Sequence, residues 1–214
     1  VNLQWNPEAQ KDPGFYQKVY HQLLPLDLYK YGLILEAEGD LPSALAAHIQ
    51  AASESPSDYR PVKKKAEVLY KLGRSEDAIQ AFREALPLAP ENERWWIWVE
   101  IGKRYGELGD LEKEIESYRS GLEEPGANKG YLWEVIGEAY YQSGRFEEAI
   151  PPFKNAIETE PQRARSLIRL GELLVDQDPD AARDYTEKGS ALLGRTDYYW
   201  VQKADEIESK LGSQ

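Results

Sequence analysis

The chain has 214 residues, 41% of them hydrophobic, which is enough apolar material for a packed core and too much for a disordered chain. It contains no cysteine and no methionine, and 26 basic against 38 acidic side chains leave a net charge of −12. These numbers exclude a disulfide framework, a thiolate nucleophile and a cysteine-ligated metal, and an acidic surface of this size repels phosphate backbones, so nucleic acid is not an expected partner.

No window approaches the roughly 18 consecutive apolar residues that a membrane-spanning helix needs. A chain that begins at Val1 and lacks methionine is expected to be a processed protein or an excised piece of a longer one, and no secretory-signal pattern stands at its start.

Residues 1–12 show no periodicity and are expected to extend or fray. After the Pro13-Gly14 breaker, Phe15, Tyr16, Val19, Tyr20, Leu23 and Leu24 fall on one helical face, so 1–24 reads as an extension plus a capping helix. From residue 25 the chain repeats itself at about 34 residues, the mark of a stacked helix-turn-helix array. The copies are 25–58, 59–94, 95–129, 130–163 and 164–196, and only 59–94 carries a net positive charge.

The copy at 130–163 is the fullest. Trp133, Ile136, Gly137 and Tyr140 share one face of a first helix. Gly144 ends that helix, because glycine takes the left-handed conformation at little cost. Ala149, Phe153 and Ala156 share a face of a second helix, which Pro161 stops. Small Gly137 and Ala149 mark where two antiparallel helices approach closely, and the large residues fill the flanks. Pro151 and Pro152 lie inside the second helix, where each removes a backbone donor. Neither sits at the centre of the packing stripe, so a bend rather than a break is expected.

The other copies keep parts of the pattern: Leu28, Gly32, Gly39, Ala44, His48 and Ala51; then Val62, Ala66, Gly73, Ala78, Phe82 and Ala85; then Trp98, Gly102, Tyr105, Gly109, Tyr118 and Gly121. The copy at 164 offers Leu167, Leu170, Gly171 and Leu174, then runs one residue short before Ala182 and Gly189. Residues 197–214, with Trp200, Ala204, Ile207 and Leu211 at helical spacing and a polar opposite face, read as a C-terminal capping helix.

This residue set resembles the tetratricopeptide repeat. The resemblance implies an all-α fold, a right-handed α-solenoid of antiparallel helix pairs with five units and terminal caps. Lys65 and Glu114 stand where leucine and alanine are usual.

The sequence holds no catalytic constellation: no Gly-rich phosphate loop, no nucleophile elbow and no zinc-peptidase motif. With two histidines, His21 and His48, metal ligation is not expected, and His48 occupies a packing position usually held by an aromatic. The chain is therefore expected to be no enzyme and to need no cofactor.

The resemblance places function on a concave groove lined by fixed positions of each first helix. Those positions give Tyr29 and Glu36; Lys63, Lys64, Tyr70 and Lys71; Trp96, Val99 and Lys103; Tyr131, Glu134, Glu138 and Tyr141; and Arg165, Ile168 and Arg169. The candidate partner-binding residues are Tyr29, Lys63, Tyr70, Trp96, Lys103, Tyr131, Glu138, Tyr141, Arg165 and Arg169. Large aromatics there suit a binding hot spot, and packing against an adjoining helix is the competing role.

Arg165 and Arg169 imitate the basic pair with which one subclass grips a C-terminal carboxylate. Val135, Val99 and Lys103 replace the other residues of that clamp, so chaperone-tail binding is not expected. The function that follows is a non-enzymatic scaffold holding a protein or peptide partner. The competing expectation is an extracytoplasmic or membrane-linked module of a larger envelope or surface-polymer assembly protein. Compartment and oligomeric state stay open.

Overall fold

The computed structural model describes residues 25–194 and 196–212. Among them are eleven α-helices and no strand, and the chain divides into two compact units, up to Pro90 and from Glu91 onward. The N-terminal extension and capping helix expected within 1–24, with His21, lie outside the described residues.

The first unit contains α1 (Pro25–Glu38), α2 (Leu41–Glu54), α3 (Tyr59–Lys71) and α4 (Ser75–Ala85), followed by a short 3-10 turn (Leu86–Leu88). The second contains α5 (Glu91–Glu107), α6 (Leu111–Glu123), α7 (Lys129–Gln142), α8 (Phe146–Thr159), α9 (Ala164–Leu174), α10 (Pro179–Ser190) and α11 (Tyr198–Gly212). Within each unit successive helices pack on one another as antiparallel pairs, the arrangement of an all-α solenoid.

Two local devices make the pairs. The first is the turn. Gly39, Gly73, Gly109 and Gly144 all have φ between +76° and +83°, a conformation that closes a helix and is cheap only for glycine. The next helix then starts at once. Asp40 accepts a hydrogen bond from the Ser43 amide and Asp110 one from the Lys113 amide, each satisfying a donor the helix leaves open.

The second device is the close crossing inside each pair. A Cβ on Gly32 would stand 2.4 Å from the His48 ring, one on Gly102 2.4 Å from Tyr118, and one on Gly137 2.8 Å from Phe153. In the last full pair Gly171 faces Thr186 instead, at 2.2 Å. That partner sits one residue earlier than the pattern of the other pairs gives, which locates the missing residue in the α9–α10 turn. This pair turns without a left-handed glycine and caps α10 with Asp178.

Apolar burial then holds the pairs together. Leu35, Ala44, Ala47 and Val68 form a core in the first unit. In the second, Val99, Ile115, Tyr118, Leu132 and Ile136 join α5, α6 and α7. Phe153 with Ala149 and Leu170 joins α8 to α9. Phe82 and Phe153 are almost wholly buried, and each burial stabilises by about 2–3 kcal/mol.

Helix α8 runs unbroken through both prolines, with Pro151 exposed and Pro152 buried. Helix α11 seats Ala204, Ile207 and Leu211 against the core of α9 and α10. Its other side is not wholly polar: Tyr198 is 78% exposed, and Tyr199 and Val201 are exposed beside it. No helix among the described residues is long and apolar enough to cross a membrane.

Candidate interaction face

In the first unit the first-helix positions gather around one buried carboxylate. Glu36 is 7% exposed and receives Lys71 Nζ at 2.8 Å and the His48 ring at 2.9 Å, with Lys64 Nζ at 3.8 Å. Burial alone would raise its pKa, but these donors and charges hold it below the usual carboxylate value. His48 is fully buried, and burial pushes its pKa down despite Glu36. The neutral ring therefore donates from Nε2 to Glu36, while its Nδ1 finds no hydrogen-bond partner.

Most of the basic residues on this face are consequently committed. Lys64 also pairs with Glu67 at 2.7 Å, and Arg60 binds Asp58 while its guanidinium lies 5.6 Å from the Tyr29 ring. Tyr29 in turn packs 5.8 Å from His48. Lys63 is half-buried and forms no ion pair among the described residues, and Tyr70 is exposed.

In the second unit the face divides in two. At α9–α11, Arg169 is only 5% exposed. Its guanidinium stands 3.9 Å from the Tyr141 ring centre and 4.8 Å from that of Trp200. In its plane it donates to Glu138 at 2.9 and 3.1 Å and to Glu172 at 2.8 Å. Burial opposes this charge, but the two carboxylates outweigh it and raise the arginine pKa further. Glu172, which burial would push up, is brought down by Arg169, Lys203 and Tyr141. Arg169, Glu138 and Tyr141 thus tie α7, α9 and α11 together, and Arg169 is not open to a carboxylate from outside.

At α5 and α7 the face is open. Trp96 is 36% exposed, and its ring centre lies 6.0 Å from that of Tyr131, at 31° between planes. Trp95 meets both edge-on, at 5.5 and 6.5 Å. Lys103 Nζ stands 4.8 Å over Trp96 and 3.1 Å from Glu100, and Arg163 lies 5.8 Å from the Tyr131 ring centre. Arg165 is exposed beside Tyr131, at a cleft of about 360 Å³ that Trp200 also lines.

The mapped groove positions are therefore of three kinds. Trp96, Tyr131 and Lys103 lie together, Arg165 lines a cleft with Tyr131, and Arg169, Glu138 and Tyr141 are locked. Val99 and Ile168 are wholly buried in the core, not groove-lining. Sequence reasoning missed Trp95, Arg163 and the role of Trp200. Trp95 and Arg163 lie just outside the groove positions of the repeat, and Trp200 belongs to the C-terminal capping helix.

Tetratricopeptide repeat family models match residues 35–97 and 135–198. The chain belongs to the tetratricopeptide repeat family. Members of this family are generally scaffolds for protein partners rather than enzymes. No curated protein sequence is significantly similar to the chain.

Solved structures share its fold at low identity. The C-terminal part of a tetratricopeptide repeat protein from Cytophaga hutchinsonii is 16% identical with a TM-score of 0.70, covering 96% of this chain and 90% of that one. A tetratricopeptide repeat protein from Parabacteroides merdae is 18% identical with a TM-score of 0.67, covering 88% and 73%. YrrB, described as having an unusual peptide-binding site, is 16% identical with a TM-score of 0.61, covering 89% and 97%.

Proposed function

We propose that this tetratricopeptide chain is a non-enzymatic scaffold that holds a peptide or helix of a partner protein on the first-helix face of its second unit. The observation that carries this reading is the partly exposed pair Trp96 and Tyr131, backed by Trp95 and bordered by Lys103. Aromatics held against one another in advance bury large area on binding at little entropic cost, which is what a hot spot needs. Arg165 is a secondary contact in the same reading. The likeness to YrrB, with its peptide-binding site, supports a peptide rather than a small molecule.

The test is selection of a displayed random-peptide library against the intact chain, followed by binding of the enriched peptides to a Trp96→Ala/Tyr131→Ala variant. Affinity is expected to drop at least about tenfold while helicity by circular dichroism stays unchanged. Undiminished binding by the variant would remove this face from consideration.

A further inference from the structure

Beside the aromatic pair, α5, α6 and α7 enclose a cleft of about 640 Å³, lined in part by Lys103, Gly106, Glu114, Tyr118, Val135 and Glu138. That is far more than the roughly 30 Å³ share of one water, so the space suits a side chain. Two departures from the repeat pattern create it. Glu114 stands where the family usually has alanine. Gly106 leaves empty the place where the equivalent turn of α3 carries Tyr70 and that of α7 carries Tyr141. The two fit one another: a Cβ on Gly106 would stand 2.7 Å from the Glu114 carboxyl carbon and Oε2.

The charges around the cleft are unevenly matched. Glu138 is held by Arg169, and Glu107 lies 3.7 Å from Arg104. Lys103 is drawn toward Glu100 and Trp96. Glu114 receives one hydrogen bond, from the Tyr118 hydroxyl at 3.1 Å, and forms no ion pair among the described residues. Burial raises its pKa, and the tyrosine only partly reverses that. A half-buried carboxylate facing a cleft that admits a side chain, with no cation of its own among the described residues, is a site built for a cation brought from outside.

We infer that the partner segment enters this cleft with a lysine or arginine side chain, whose cation pairs with Glu114. The inference rests on the groove reading above. A segment lying over Trp96 and Tyr131 reaches the cleft past Lys103, which borders both, so the basic residue follows the aromatic or apolar anchor at a fixed offset along the bound segment.

The experiment is a double-mutant cycle on a peptide from the same display selection. A basic residue is expected to be enriched at one offset from the anchor, and replacing it with norleucine should weaken binding to the wild-type chain about tenfold. On Glu114→Gln the basic peptide should lose that same factor, and the two peptides should bind equally. Gly106→Ala, whose Cβ displaces the carboxylate, should repeat the result without removing the charge.

Absence of basic enrichment, or a norleucine penalty as large on Glu114→Gln as on wild type, would overturn the inference. Failure of the groove reading looks different: the peptides would then ignore the Trp96→Ala/Tyr131→Ala variant altogether.

Discussion

The same helix positions serve opposite ends in two stretches of the second unit. At α9–α11 an arginine, two glutamates and two aromatic rings satisfy one another, so that Arg169 is buried and saturated. At α5–α7 the ring pair Trp96 and Tyr131 is partly exposed, and Glu114 has no cation among the described residues. A residue type at a groove position thus does not announce a binding role. Whether its hydrogen bonds and charge are already satisfied by the chain decides between a lock and a contact surface.

The sharpest way to break this comparison is Arg169→Ala. It strips the cation from Glu138 and Glu172 and empties the slot between Tyr141 and Trp200, and it should destabilise the chain by about 3 kcal/mol. Urea denaturation and hydrogen exchange in α11 measure it, and exchange there should rise first. If stability is unchanged, the lock at α9–α11 is not structural.

The polar cluster of the first unit offers a second, smaller test through pH. His48 has a folded pKa below its ordinary value of 6.5, so the unfolded chain takes up a proton first. The stability this gives is complete above pH 6.5 and declines as pH falls below it. Glu36, also depressed, loses its contribution as pH falls below about 4.5. The protection of amides in α1–α4, taken relative to their intrinsic exchange rates at each pH, should therefore fall in two acid steps. His48→Phe, which fills the same slot as Phe82 and Phe153, should remove the upper step and leave the lower one.

The smallest expected effect carries the opposite sign. Folding raises the Glu114 pKa above 4.5, so its charge at neutral pH opposes the folded state. Glu114→Gln should stabilise the free chain at pH 7, by no more than about 1 kcal/mol because solvent screens a half-buried carboxylate. The gain should disappear as pH falls through the folded pKa toward 4.5. A clear loss of stability would mean that Glu114 is a structural group, not a vacancy for a partner's cation.

Much of the fold was legible because it follows from local rules. Gly39, Gly73, Gly109 and Gly144 are turn residues whose conformation few other side chains tolerate, and the spacing from Gly137 to Phe153 encodes a helix crossing. The site was legible only in outline. Trp96 and Tyr131 were singled out by position, and so were Val99 and Ile168, which the neighbouring helices bury completely. Glu114 registered only as a departure from the pattern, because nothing in a linear sequence says that Gly106 opens space above its carboxylate.

Formation, pairing and stacking of the helices are written into the residue order, since glycine turns, side-chain caps and apolar stripes act over a few residues or at a fixed repeat. Tertiary structure alone decided which charges are satisfied. Glu138 meets Arg169 from 31 residues away, Lys71 meets Glu36 from 35, and Glu114 meets no cation among the described residues. Electrostatic satisfaction depends on distances of a few ångströms between groups far apart in the chain, and the repeat pattern fixes the backbone that carries them without fixing which partners they find.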